Sequence, residues 1–174
     1  MNTTYTEHWP QFYTATIYEW KPLLMNNSHK EIIINCLQFL VKERRVVINA
    51  FVIMSNHIHL IWQPLAGHTP SSVQSSFMKY TARQLKLSLT TNNIELLEAF
   101  KVNKYSRAYQ FWKREALSIE LRTPAVFDQK QEYIHYNPVK AGLCIYPEDY
   151  YYSSAKFYYD GTDSFGILNR YRGN

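Results

Sequence analysis

Three stretches of the chain show the hydrophobic patterning of β-strands. Residues 12–18 alternate and are rich in aromatic and β-branched side chains, residues 45–54 form a dense β-branched run, and residues 57–63 follow a tight turn. Aromatic and β-branched residues favour strands. Ser55 and Asn56 supply the turn chemistry between the second and third stretches. The pattern predicts one strand and, later in the chain, two antiparallel strands joined by this turn.

Apolar residues at helical spacing fill the intervals between these strands. Ser28 begins a candidate capping box, and the apolar positions that follow predict a helix to about Glu43. Thr69 followed by Pro70 predicts the start of a second helix, because proline suits the first helical position. The periodic pattern carries this second helix to about Leu89.

The second half of the chain predicts shorter elements. Residues 94–100 fit a short helix or an extension, residues 109–112 a fourth strand, and the alternation in residues 117–121 a further strand. A helix that starts near Asp128 is expected to end at Pro138, since proline disfavours helical geometry in the residue before it.

This order of elements predicts an α+β fold. An antiparallel sheet of four to five strands, ferredoxin-like in its β-α-β-β-α-β order, would carry helices mainly on one face. A chain of 174 residues can bury one core, so we expect a single domain over residues 1–174 with its core at about residues 10–160. Residues 163–174 are expected to be mobile. The tyrosine-rich segment before them either packs over the body or lines a DNA surface.

Composition and charge favour an acidic partner. The formal net charge is +5 and 16% of the residues are aromatic, and nucleic acid is the common partner of a basic chain. Cys36 and Cys144 have no paired spacing, which suits a reducing cytoplasm. The longest apolar run, residues 46–54, is far shorter than the ~20 residues that span a bilayer. We therefore expect a cytoplasmic protein that binds nucleic acid.

Two histidines form the first candidate site. Side chains in a strand alternate between faces, so His57, His59 and Ile61 share one face. Two imidazoles on one face can clamp a metal ion. A pair of histidines that is simply packed or hydrogen-bonded within the sheet is the alternative, and the pair alone does not decide between the two.

A tyrosine and an asparagine form the second candidate site. Tyr133 and Asn137 are four positions apart in a predicted helix and therefore lie on one helix face. A phenol oxygen can act as a nucleophile, and an amide oxygen is a hard ligand that suits Mg²⁺ or Mn²⁺. The tyrosine alone is a weak indication, because the chain has fifteen of them.

Taken together, these motifs resemble those of a known family. Over about residues 10–160 the chain resembles the REP-associated tyrosine transposases, a branch of the single-tyrosine HUH transposases. The matching segments are the His-hydrophobe-His motif in its hydrophobic frame, the tyrosine motif and two tail motifs: residues 51–60 (FVIMSNHIHL), 133–143 (YIHYNPVKAGL), 146–150 (YPEDY) and 152–155 (YSSA). Ser55 stands where the family usually has proline, which changes a turn residue and not a ligand.

The resemblance implies a fold, a site and a reaction. It implies the HUH transposase fold, with His57, His59 and Asn137 as ligands of a divalent metal ion, Mg²⁺ or Mn²⁺. Tyr133 would attack a phosphodiester of single-stranded DNA near a hairpin or palindromic element, leaving a 5′-phosphotyrosine link and a free 3′-OH. The protein would act in a bacterial cytoplasm, on the nucleoid when bound to DNA, as a monomer or a homodimer.

Two other functions fit the same residues. A domesticated module would bind hairpin DNA without cutting it, and a metal hydrolase would use a bound water, with Tyr133 merely structural. The intact set of two histidines, tyrosine and asparagine favours the transposase, because a retired enzyme has no physical reason to keep all four.

Candidate DNA contacts fall in two basic segments, one on the second predicted helix and one interleaved with aromatic residues: Lys79, Arg83, Lys86, Lys104, Arg107, Lys113 and Arg114. In single-strand recognition bases stack on aromatic rings and cations bind phosphates. The alternatives are a solvated helix face for the first segment, and for the second a strand whose aromatic residues lie in the core.

Overall fold

The structure, a computed structural model, describes residues 8–173. The two ends of the expected single domain, residues 1–7 and 174, lie outside this range. The strands, in chain order, are β1 (Gln11–Thr16), β2 (Val46–Ile53), β3 (His57–Pro64), β4 (Lys101–Lys104), β5 (Arg107–Tyr109) and β6 (Leu117–Glu120). The α-helices are α1 (Asn27–Lys42), α2 (Pro70–Asn92), α3 (Ile94–Glu98), α4 (Pro124–Lys140) and α5 (Ala155–Asp160).

Four of the strands form one sheet in the order β2-β3-β1-β6. Every neighbouring pair in it is antiparallel. Along the chain, α1 follows β1, and α2 and α3 lie between β3 and β6. This arrangement confirms the predicted α+β fold with a ferredoxin-like antiparallel sheet. Strands β4 and β5 pair with each other in a separate hairpin.

Helices α1 and α2 cover one face of the sheet. Tyr13, Leu60 and Trp62 point from the strands into this core, where they meet Leu37 of α1 and Phe77 of α2. The Tyr13 and Trp62 rings stack with their centroids 5.0 Å apart, and Phe77 packs edge-on against both. Because burying one large apolar side chain contributes roughly 1.5–3 kcal/mol, this face is the main source of stability.

Helix α4 packs on the opposite face of the sheet. Its Phe127 and Ile134 side chains join a second, smaller cluster that includes Phe12 of β1 and Ile61 of β3. The prediction of helices mainly on one face therefore holds for α1 and α2, while α4 lies on the other face. One helix covers only part of four strands, so Thr14 and its neighbours at the β1–β6 side stay partly exposed.

A buried polar contact anchors α4 to the sheet. The Ser154 hydroxyl accepts a hydrogen bond from the backbone N–H of Phe51 in β2, 2.9 Å away, and lies 2.8 Å from Nε2 of His135 in α4. Burial lowers the pKa of His135 to about 4, so this imidazole is neutral at pH 7. Because a buried polar group without a partner is costly, the network favours one seating of α4 against β2.

The predicted fourth strand at residues 109–112 is wrong. Residues 110–112 are all buried in succession, and one isolated bridge, between Ile17 and Trp112, links them to the sheet. The fourth strand of the sheet is β6, which the alternation in residues 117–121 had indicated. Consecutive burial of aromatic residues in a loop, rather than the alternating burial of a strand, explains the misleading pattern.

Two helix boundaries also differ from the prediction. Asn26, not Ser28, caps α1, since its side chain accepts a hydrogen bond from the Ser28 backbone N–H at 2.9 Å. Helix α4 starts after its cap, Thr123, and continues through Pro138 to Lys140. Pro138 lies in the last turn and is buried. Its missing N–H removes one helical hydrogen bond, which this packing outweighs.

The C-terminal segment packs along β2, so the prediction of mobility is wrong for residues 163–173. Leu168 forms a bridge with Ile48 of β2, and the Tyr171 ring stacks on Phe127 of α4 with centroids 4.2 Å apart. Tyrosine hydroxyls before this segment also donate hydrogen bonds to the body: Tyr150 to the Ile53 carbonyl, Tyr152 to Glu31 and Tyr158 to the Asn49 carbonyl. These three tyrosines therefore pack over the body, and the segment covers an edge of the sheet that would otherwise be open.

Two smaller expectations concern cysteines and membrane spans. Cys36 and Cys144, the two cysteines of the chain, are unpaired. Burial raises the pKa of the Cys36 thiol to about 12, which makes it an unreactive core residue.

Within residues 8–173, no helix has the length and apolar character needed to cross a membrane.

The His135 contact predicts a pH-dependent contribution to stability. Below about pH 6.5 the unfolded chain binds a proton at His135, whereas the folded chain binds it only near pH 4. The free energy of unfolding should therefore fall as the pH drops through this window, by about 3 kcal/mol for this residue. Urea unfolding of wild type and His135→Gln between about pH 4 and pH 6.5 measures this pH dependence. The variant should lose this part of the pH dependence, and equal pH profiles would contradict the assignment.

Candidate active site

Strand β3 presents two histidines on the face opposite to the main core. His57 and His59 lie at its start, with ring centroids 4.9 Å apart. Antiparallel pairing places Thr16 of β1 opposite His57 and Thr14 opposite His59. Ile58, between the two histidines, is fully buried on the other face. The predicted alternation along this strand is confirmed.

Helix α4 places Tyr133 and Asn137 over the two histidines. The Tyr133 and His59 ring centroids are 5.2 Å apart, in an edge-to-face arrangement, and the Asn137 side chain lines the same groove as His57. All four side chains line one open groove with a volume of about 580 Å³. Residues from two motifs far apart in the sequence therefore converge at one place, as the motifs predicted.

Each imidazole is oriented through its Nδ1 atom. Nδ1 of His57 lies 2.7 Å from the Asn56 side-chain oxygen, and Nδ1 of His59 lies 2.7 Å from the Thr14 hydroxyl. A carbonyl oxygen can only accept, so Nδ1 of His57 carries the hydrogen and its Nε2 keeps a lone pair. The Thr14 hydroxyl can accept from or donate to Nδ1 of His59, so this contact orients the ring without assigning its tautomer.

Both imidazoles are neutral at pH 7. Burial lowers the pKa of His57, and the contact with Asn137 offsets part of this effect. Burial also lowers the pKa of His59 to about 3, with further contributions from His57 and the Lys130 ammonium group. Metal ions bind the neutral form of histidine. The folded protein therefore holds this pair in the protonation state that a metal requires.

The donor set fits a divalent metal ion. Within residues 8–173 no group of three or more His, Cys, Asp or Glu side chains is placed to hold a metal, so a third protein ligand would come from another residue type, and the Asn137 amide oxygen lines the same groove as the two histidines. Hydrogen bonds to the far nitrogen of a ligating histidine are the usual support for such sites, and Asn56 and Thr14 supply them. Two nitrogens and one oxygen would leave further coordination positions for water or phosphate oxygens.

Two lysines surround the Tyr133 ring. Nζ of Lys130 lies 5.8 Å from its centroid and Nζ of Lys140 lies 5.6 Å from it. Lys130 also lies over the ring of Phe12, at 4.8 Å. The phenol therefore sits in a positively charged setting that attracts an anionic phosphodiester.

Sequence reasoning missed several residues of this groove, among them Lys130, Thr14 and Trp20. Lys130 precedes Tyr133 by three positions in α4, so the helical spacing that linked Tyr133 to Asn137 would also have identified it. Thr14 faces His59 only through the β1–β3 register, which the sequence does not specify. Trp20 lines the groove from the turn after β1, and no local pattern marks it.

The candidate DNA contacts are partly brought together. Four of them line a second groove of about 350 Å³ between α2 and the segment after β5: Lys79, Arg107, Lys113 and Arg114. Lys86 lies beside this basic groove, with Nζ 5.0 Å from the ring centroid of Tyr109, which lines it. Arg83 and Lys104 are exposed but do not line it. The cations of this region are therefore available to DNA, while its aromatic residues Phe111 and Trp112 lie in the core.

Comparisons with sequence families and curated proteins give no match. No family model matches the chain, and no curated protein matches it.

Solved structures that are similar to this chain include two transposases. One, from Deinococcus radiodurans R1 and described as a suggested transposase, has 11% identity and a TM-score of 0.49 over 77% of this chain and 95% of its own. The other is a REP-associated tyrosine transposase bound to a REP hairpin, with 18% identity and a TM-score of 0.66 over 99% of both chains. The chain therefore has the fold of a REP-associated tyrosine transposase, in agreement with the resemblance of its sequence motifs.

Proposed function

We propose that the protein is a metal-dependent transposase that nicks and rejoins single-stranded DNA near hairpins through a 5′-phosphotyrosine intermediate. The observation that carries this proposal is the convergence of Tyr133 with His57, His59 and Asn137 in one open groove. A nucleophile, a metal-binding set and an accessible channel are the parts that such a reaction requires.

His57, His59 and Asn137 would hold the divalent ion, Mg²⁺ or Mn²⁺. When bound, the ion would supply Lewis-acid polarisation of the scissile phosphate and stabilise the negative charge that develops on it. Thr14 and Asn56 hold the two imidazoles in orientation, and the Asn56 oxygen also fixes the tautomer of His57. This preorganisation limits the rearrangement that ligand binding would otherwise need.

The Tyr133 hydroxyl oxygen would attack the phosphorus atom of the scissile phosphodiester. The new oxygen–phosphorus bond forms as the bond to the 3′ oxygen breaks. The phenol proton passes to solvent, and the leaving oxygen takes up a proton to become a free 3′-OH. One phosphodiester replaces another, so a later attack by a 3′-OH can rejoin strands without ATP.

Lys130 and Lys140 would hold the phosphate beside the phenol. Their ammonium groups lie on the same face of α4 as Tyr133 and approach its ring to within 6 Å. Positioning a reacting phosphate against its nucleophile accounts for a large part of the rate enhancement in many enzymes. We assign these lysines a role in substrate positioning.

The proposed substrate is single-stranded DNA that carries a hairpin. The REP-associated transposase with the same fold is bound to a REP hairpin. In the present chain, the basic groove offers cations beside aromatic residues, the combination that suits a DNA backbone. A net charge of +5 favours the same partner.

Tyr133→Phe should abolish covalent adduct formation. The test uses labelled single-stranded DNA with a palindromic hairpin from the flanks of the gene, incubated with Mn²⁺ and resolved on a denaturing gel. Tyr136→Phe is the matched control, because Tyr136 lies one helical turn away and is 45% exposed, against 41% for Tyr133. Wild type and the control should form the adduct, since only Tyr133 carries the nucleophile.

The same gel separates the alternatives. If all three proteins bind the DNA but none of them links or cuts it, the result would favour the hairpin-binding module over the transposase. Cleavage without an adduct that survives Tyr133→Phe would indicate hydrolysis by a metal-bound water.

The two histidines should bind a metal in the absence of DNA. Mn²⁺ at about 100 times its Kd should raise the free energy of unfolding of wild type by about 2.7 kcal/mol. The double variant His57→Ala/His59→Ala should show no such stabilisation. His68→Ala, in the loop before α2, is the control and should behave as wild type. Equal stabilisation of all three proteins by Mn²⁺ would show that His57 and His59 do not bind the metal.

The basic groove should contribute to the salt dependence of DNA binding. Each phosphate contact to a single strand adds about 0.7 to the slope of log K against log salt. Removing Lys79, Arg107 and Arg114 together, as glutamines, should therefore flatten the slope by about 2. A control that changes Lys42 and Arg44, which do not line this groove, to glutamine should leave the slope close to that of wild type. An unchanged slope in the triple variant would place the DNA elsewhere.

A further inference from the structure

The turn that follows β1 holds its backbone in an unusual conformation. Glu19 and Trp20 have φ angles of 55° and 58°, in the left-handed region that residues other than glycine rarely adopt. The Asn56 side chain donates a hydrogen bond to the Trp20 carbonyl at 3.3 Å, and the Tyr18 N–H donates to the Phe111 carbonyl at 2.7 Å. Strain of this kind persists where the surrounding structure enforces it and often marks a functional position.

Trp20 stands between the active-site groove and the basic groove. Its ring centroid is 6.5 Å from that of His57, and it lines the active-site groove. Nζ of Lys113, which lines the basic groove, lies 4.8 Å from the indole. The Lys113 backbone N–H donates to the Thr16 carbonyl at 2.8 Å, so tryptophan and lysine are held on one rigid frame.

The indole is the aromatic surface that this groove leaves available. Trp20 is 56% exposed, whereas Phe12 in the same groove is buried and Tyr133 is assigned to the nucleophile. The turn gains an exposed ion pair between Glu19 and Lys21 and an exposed cation–π contact. The free energy that such exposed contacts contribute is smaller than the conformational free energy that Glu19 and Trp20 lose in the left-handed region. Stability therefore does not explain why the turn presents this ring.

We propose that Trp20 is a stacking platform for an unpaired base next to the scissile phosphate, and that Lys113 binds the backbone phosphate of the neighbouring nucleotide. This inference rests on the proposed function, since it takes the scissile phosphate to lie at His57 and Tyr133. Aromatic side chains beside cations are the recurring means of binding single strands. The strand would then run from the active-site groove, over the indole, into the basic groove.

Binding is measured in the Tyr133→Phe background with EDTA, so that the DNA stays intact. The probe is the labelled hairpin oligonucleotide with its single-stranded flank. Trp20→Ala should weaken binding about 5- to 150-fold, the effect of losing one stacked base. Trp20→Phe keeps an aromatic face and should restore most of the affinity. Tyr159→Ala removes an aromatic side chain on α5 that is even more exposed than Trp20, 71% against 56%, and should bind as the parent protein does.

Abasic substitutions identify the stacked base. A single abasic position scanned along the flank should weaken binding at one nucleotide by the same factor as Trp20→Ala. At that nucleotide the protein and DNA changes should not add, because both remove the same contact. The responsive position should adjoin the cleavage site that wild type makes with Mn²⁺.

Two results would overturn the inference. One is unchanged binding by Trp20→Ala, and the other is an abasic effect that adds to the protein change at every position. Failure of the proposed function has a different signature. In that case no covalent adduct would form with Mn²⁺, either in wild type or in a Trp20 variant. Circular dichroism and thermal unfolding of each variant confirm that an altered affinity does not reflect misfolding.

Discussion

The packing of α4 against the open face of the sheet is the interaction on which the candidate site depends. Ile134 is fully buried against that face, and the His135–Ser154 contact ties the helix to β2. Successive residues of an α-helix are rotated by about 100°, so a helix seated on Ile134 turns Tyr133 and Asn137 toward the groove. A different seating would separate the phenol from the histidines without changing any residue of the site.

Burial of the histidine face prepares the site chemically as well as geometrically. Leaving water lowers the pKa values of both imidazoles and so keeps their lone pairs available. The lysines around Tyr133 lie nearer the solvent and stay accessible to a phosphate. The groove thus places neutral nitrogen donors at its floor and positive charge at its rim. A metal ion and an anionic strand can occupy such an arrangement together, because each meets a different part of it.

Local patterns predicted much of this fold because they act over a few residues. β1, β2 and β3 appear close to their predicted bounds, as does α2 with its Thr69 cap. The errors arose where tertiary packing overrode local preference. Pro138 is accommodated inside α4 because its ring is buried, Phe111 and Trp112 are drawn into the core by their aromatic side chains, and the C-terminal segment is held by stacking of Tyr171 on Phe127.

The sequence by itself determined which chemical groups the protein carries and how each pair is spaced. Strand alternation put His57 and His59 on one face, and helical periodicity put Tyr133 and Asn137 on one face, because both periods are local backbone properties. Only the tertiary structure decided that the two faces meet, that Thr14 orients His59, and that Trp20 stands beside the groove. Those relations depend on strand register and helix seating, which arise from contacts between segments distant in the chain.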